Sequence, residues 1–215
     1  MRSALAMAIV FIGGFLIMVL EIVGARYLAK DFGGSVYVWT SQIGVILIAL
    51  AGGYYVGGAL ADRQDRVSFP AWLLIPTGLV TSFIPEFADR LINAIIARHP
   101  ADQDISPFWQ KLDPAIGSAL IFLLPCFALA TLSPYIIRLE TRRLSHIGRA
   151  SGLVIAASTV GSIAGVFVSG YVLIDLMRLS AIFRAVGGLT IALGVLCLLA
   201  SGWIRREALP AETTL

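Results

Sequence analysis

An acid-base pair closing one apolar run, and a lone acid inside another, are the residues of this sequence with the best claim to chemistry. Asp62-Arg63, with Arg66 three positions on, follows the apolar run from Val36 to Leu60. The plain reading of such a dipeptide is a solvated tight turn. Glu21 lies well inside the run from Leu5 to Leu28, toward its second end, where an ionised carboxylate is costly unless it meets a cation or faces a cavity. Arg184, about one turn into the last apolar run, is a candidate partner, and a cation or proton site is the alternative. Catalysis finds little support. There is no HExxH, no CxxC and no Walker glycine loop. His99 and His146 fall in connections that would lie on opposite sides of a membrane, and no acid or nucleophile can be named beside His146. Cys126 and Cys197 sit singly inside apolar runs, which predicts neither a disulfide nor a metal site. No enzymatic activity, metal or cofactor is therefore expected.

Composition dictates what must position these groups. With 58% hydrophobic and 13% charged residues, too little polar surface is available for a soluble domain. A hydrocarbon core takes roughly 20 apolar residues per helical crossing. Six runs qualify: 5–28, 36–60, 71–88, 116–137, 152–174 and 181–204. The expected architecture is one all-α, six-helix membrane bundle. The net charge of +3 comes from arginines clustered at the ends of runs, as topology determinants are, so nucleic acid is not an expected partner and membrane lipid is. The cluster from Arg138 to Arg149 places its connection inside, while the connection 89–114 mixes both signs. Both termini are then cytoplasmic and the protein belongs in the inner membrane. Trp39 and Trp109 fall at the outer interface of this arrangement, Trp72 and Trp203 at the inner one. In the long outer connection Leu91, Ile92, Ile95 and Ile96 recur at helical spacing against Asp89, Arg90, Asn93 and Arg98, predicting a short amphipathic helix.

Two runs carry small residues every fourth position. The second has Ala49, Gly53, Gly57 and Ala61; the fifth has Ala157, Gly161, Gly165 and Ser169. Each makes a flat stripe on which another helix can lie closely. The stripes serve either contacts inside one chain or contacts with a second copy of it.

The stretch Gly58-Ala-Leu-Ala-Asp62-Arg63-Gln-Asp-Arg66 resembles the signature between the second and third helices of major facilitator transporters. Six runs are half their usual number, so the chain reads as a half-transporter. A closer resemblance is to the membrane domain of fused facilitator/spermidine-synthase-like proteins. It rests on Leu20 to Leu28, Gly33 to Trp39, Thr131-Leu132-Ser133-Pro134-Tyr135, Ile147 to Gly152 and the glycine-rich run from Thr159 to Gly170. Those fusions also carry a soluble aminopropyltransferase-like domain, of which this sequence shows no trace, so the resemblance implies no enzymatic activity here.

What it does imply is a homodimer that moves or binds a small solute near the membrane midplane, a cationic amine or polyamine among the candidates. Glu21 would be the ligand, with Gln42, Tyr54, Ser133 and Tyr135 as polar cavity neighbours, and Pro125 and Pro134 would loosen the fourth helix. Asp62, Arg63 and Arg66 would form a cytoplasmic latch against the start of a partner's fifth helix, near Arg149 to Gly152. Gly53 and Gly57 would meet the partner's counterparts of Gly161 and Gly165. A membrane anchor for a separate soluble spermidine-synthase-like enzyme, and a lipid-binding bundle, are the rival readings.

Overall fold

The computed structural model describes residues 2–63, 68–100, 105–140 and 147–207, with side chains from 4 to 199. Helices account for nearly all of them, and no strand occurs among the described residues. In chain order they are α1 (Arg2–Phe32), α2 (Val36–Arg63), α3 (Phe69–Ser82), α4 (Ile84–Ile96), α5 (Pro107–Ala130), α6 (Leu132–Glu140) and α7 (Ile147–Val168). A π-helical turn (Ser169–Leu173) then leads into α8 (Ile174–Leu176) and α9 (Leu179–Glu207). Among the described residues five helical segments are long and apolar enough to cross a membrane, and the bent α3–α4 pair would make a sixth. The chain is an all-helical, multi-pass membrane protein.

The breaks have local causes. Between α3 and α4 the axis bends by 69° at Phe83, two residues before Pro85, which lacks the N–H needed to continue the α3 ladder. The expected run 71–88 is therefore divided, and α3 ends at Ser82. The α5–α6 junction at Thr131 follows from Pro134, whose ring would strike the carbonyl four residues back; the Thr131 hydroxyl donates to the Ala128 carbonyl at 2.7 Å. Pro125, by contrast, lies buried inside an unbroken α5. After α7, the Ser169 hydroxyl donates to the carbonyl of Gly165 at 2.6 Å, competing with the α-helical ladder where the π turn begins. Gly33 turns the chain from α1 into α2 with φ +81°, a conformation glycine alone adopts freely.

Packing is organised as three intimate pairs, α1 with α7, α2 with α5, and α3 with α9, around an α1–α5 axis. Gly161 and Gly165 of α7 lie against the backbone of Phe11 and Phe15 of α1, so these two helices run parallel. Gly53 and Gly57 of α2 lie in the same way against the backbone of Phe127 and Thr131 of α5 and its extension, again parallel. A methyl group on Gly57 would sit 2.6 Å from the Thr131 carbonyl oxygen, and one on Gly165 would sit 2.5 Å from that of Phe15. In the third pair Gly78 of α3 meets the Gly187 carbonyl of α9 and Gly194 meets Ile75, an antiparallel crossing with a glycine on each side.

These contacts repeat. If α1, α2 and α3 form a first triple and α5–α6, α7 and α9 a second, exchanging the triples carries the α1/α7 pair onto the α5/α2 pair. The same exchange carries α3/α9 and α1/α5 onto themselves. The first helices of the two triples are antiparallel, with Gly13 near Leu129 and Leu132, and Gly117 near Leu28 and Phe32. That is the contact pattern of an inverted three-plus-three repeat.

The arrangement corrects the expectation that the glycine stripes meet a second copy. Gly53, Gly57, Gly161 and Gly165 are all buried against helices of their own chain, where close approach leaves no room for a further helix.

The helix α4 sits at the end of the bundle that carries the α1–α2 turn. It buries Ile84, Ala88, Ile92 and Ile95, so its apolar face is spent on the protein rather than on lipid. Asp89 on its other face accepts hydrogen bonds from Tyr27 Oη at 2.6 Å and Lys30 Nζ at 3.1 Å, tying α4 to the last turns of α1.

Candidate functional site

Glu21 stands on α1, the helix at the centre of the packing, 11 residues before Phe32 and thus roughly 16 Å below the end of the helix. Its carboxylate is half-buried and forms no hydrogen bond or ion pair with the described residues. The expected partner is engaged elsewhere: Arg184 Nη2 donates to Glu86 Oε1 of α4 at 2.7 Å, near the bundle surface. The reason is reach. Arg184 lies in the second turn of α9, at the end where α4 crosses, and a carboxylate there is met without drawing the guanidinium into the apolar interior.

The cavity neighbours expected for Glu21 divide sharply. Gln42 is fully buried and bridges three helices: its Nε2 donates to the Leu20 carbonyl at 3.4 Å, and its Oε1 accepts from Ser118 Oγ at 2.7 Å. With both ends of its amide satisfied inside the core, Gln42 cements α2 between α1 and α5 and does not reach an open surface. Tyr135 is likewise buried, its ring stacked on Phe69 with centroids 6.3 Å apart. Ser133 is half-buried, its Oγ 3.4 Å from that of Ser158 across the α6–α7 contact. Tyr54 is exposed on α2. Of the five residues, Glu21 and Tyr54 are thus the two with accessible polar atoms and no side-chain partner among the described residues.

At the opposite end, Asp62 pairs with Arg138 of α6, Nε to Oδ1 at 3.0 Å, rather than with the start of α7 near Arg149. The pair joins the ends of α2 and α6 within one chain. Both side chains are more than half exposed, so screening leaves it worth about 1 kcal/mol or less. Arg63 is exposed at the last turn of α2, and Arg66 lies outside the described residues.

Sequence reasoning missed a second ionic cluster. Asp113, buried in the first turns of α5, is met by His99 Nε2 at 2.7 Å and by the Arg98 guanidinium, which also stacks over Trp109 with 4.2 Å between charge and ring centroid. These groups clamp the residues just after α4 to the first turns of α5. Trp109, expected at the outer membrane interface, is half-buried in this clamp. Nothing in the spacing of Arg98-His99 and Asp113 announces the contact, because it depends on where the end of α4 comes to lie against the start of α5. Among the described residues no group of acids, histidines and cysteines is arranged to hold a metal ion.

No family model matches the chain, and neither a curated protein nor a solved structure matches it.

Proposed function

We propose that this chain is half of a facilitator-like transporter, working as a homodimer that binds and moves a small solute. The observation that carries the reading is Glu21: a carboxylate with no partner among the described residues, deep in the central helix of a membrane bundle. An intramembrane acid in that position faces a pathway or binds a cation far more readily than it faces lipid. The inverted three-plus-three packing adds support, since transporters of this class build each six-helix half from such a repeat and place their site near the midplane. A negative site favours a cationic substrate, an amine or polyamine, or a proton. The second copy would supply the wall that one half lacks, through the exposed faces of α2 and α7, where Tyr54, Tyr55, Ile163 and Phe167 are exposed.

Uptake by the purified protein in proteoliposomes, measured with a panel of radiolabelled amines, amino acids and sugars under an imposed proton gradient, tests this directly. Accumulation of a cationic solute above protein-free vesicles is expected; a flat response across the panel would remove the transport reading.

The membrane is proposed to be the inner one, with both termini cytoplasmic and α4 on the outer side. A cysteine replacing Asn93, exposed on α4, should react with an impermeant thiol reagent applied to intact cells, and one replacing Arg149 should not. Labelling at Arg149→Cys alone would invert the topology. The native Cys126 and Cys197 are buried and leave the background low.

A further inference from the structure

Beside the end of α1, an open cleft of about 720 Å³ is left between α1, the start of α2 and the π turn with α8. Two of its lining residues are Arg26 and Asp175, opposite charges on α1 and α8, and neither forms a hydrogen bond or ion pair with the described residues. Lys30 also lines the cleft, but its ammonium is held by Asp89. The cleft thus offers one uncommitted cation and one uncommitted anion. Its floor is apolar, with Ile22 one turn deeper than Arg26 and Ile174 one residue before Asp175, and Trp39 forms part of the rim. Gly170 of the π turn also lines the cleft, and a Cβ on that glycine would meet nothing within 4 Å.

A free cation and a free anion above an apolar floor match a ligand that is zwitterionic at its head and apolar behind. Arg26 lies six residues before the end of a membrane-spanning helix, roughly 9 Å along its axis, and Trp39 is an aromatic residue half-exposed near the start of the next. That is headgroup depth. We propose that the cleft binds a membrane lipid whose headgroup carries both a phosphate and a primary amine, with Arg26 on the phosphate and Asp175 on the ammonium. The guanidinium fork suits phosphate oxygens, and a carboxylate accepts hydrogen bonds from a primary ammonium that a quaternary one cannot give. The site is separate from Glu21 and holds whether or not the protein transports a solute.

The test uses the full chain in nanodiscs of equal parts phosphatidylethanolamine, phosphatidylcholine and phosphatidylglycerol, followed by native mass spectrometry after mild delipidation. Phosphatidylethanolamine should be retained at one per chain, roughly tenfold over the other two, as one or two charge-assisted hydrogen bonds would give. Arg26→Gln should cut that retention about tenfold, and Asp175→Asn should erase the preference for the primary amine over phosphatidylcholine. Both residues are exposed and have no partner among the described residues, so the variants should fold; Gly170→Leu, which adds bulk to the cleft lining without changing either charge, should lower retention of the lipid as well. Equal retention of the three lipids, a preference for phosphatidylglycerol, or variants that hold phosphatidylethanolamine like the parent would each overturn the assignment. Binding of free phosphoethanolamine by the delipidated protein, with no phosphatidylethanolamine retained from the nanodiscs, would overturn it too, by showing that the headgroup alone, and not a membrane lipid, occupies the site.

Discussion

Gly161→Leu should lose most of the stability of the folded bundle, by about 3 kcal/mol or more. The glycine has no Cβ, and the Phe11 backbone of α1 occupies the space where one would be; its carbonyl carbon is 2.7 Å from that point. Neither side can give way cheaply, because the obstacle is helix backbone rather than the tip of a side chain. The α1/α7 pair would have to separate, and α1 also packs on α5, α9 and α2. Gly53→Leu should cost a comparable amount on the other side of the inverted pattern, where the Phe127 carbonyl oxygen lies 2.5 Å and the Ala130 Cβ 2.6 Å from the same kind of point. Gly152→Leu, at a glycine of the same helix α7 with nothing near, is the control and should be close to neutral. Unfolding titrations in mixed micelles, followed by near-ultraviolet circular dichroism and size-exclusion profile, read all three. If Gly161→Leu proved as stable as the control, α7 would not lie on α1, and the inverted packing would fall with it.

Those glycines show how far the sequence could be read. A small residue at every fourth position of a helix is a statement about that helix's own surface, so the two flat stripes are legible from residues 49–61 and 157–169 alone. What lies on a stripe is not, since Phe11 and Phe127 carry no mark that singles them out from other apolar residues. The same division holds for the charges. That Glu21 is buried follows from the length of the apolar run around it. That Arg184 turns to Glu86 depends on α4 folding back over the bundle, which is set by the break at Phe83 and by the apolar face Ile84, Ala88, Ile92 and Ile95. Gln42 sits in an apolar run where a polar side chain reads equally as solute ligand or as core hydrogen-bonder. The choice is made by Leu20 and Ser118, which are 22 and 76 residues away in the chain. Arg26 and Asp175 read singly as charges at the ends of spans, and only the fold sets them around one cleft.

Glu21→Gln should abolish pH-dependent uptake in proteoliposomes while leaving the bundle folded. Glutamine keeps the shape of the side chain and its capacity to accept a hydrogen bond, and it removes both the charge and the proton that can come and go. Because no described residue pairs with Glu21, its neutralisation strands no cation in the interior, and the several kcal/mol lost when one member of a buried ion pair is deleted do not apply. Stability should therefore be unchanged or slightly raised, since a half-buried carboxylate in an apolar helix is itself a cost. Arg184→Leu provides the contrast: it removes the partner of Glu86 near the surface, so uptake and its pH profile should persist. A Glu21→Gln protein that fails to fold would assign the carboxylate a structural contact, and one that transports with the parent pH profile would move the coupling site elsewhere. Folded protein without pH-dependent uptake, beside an Arg184→Leu protein that retains it, is the combination the unpaired acid on the central helix predicts.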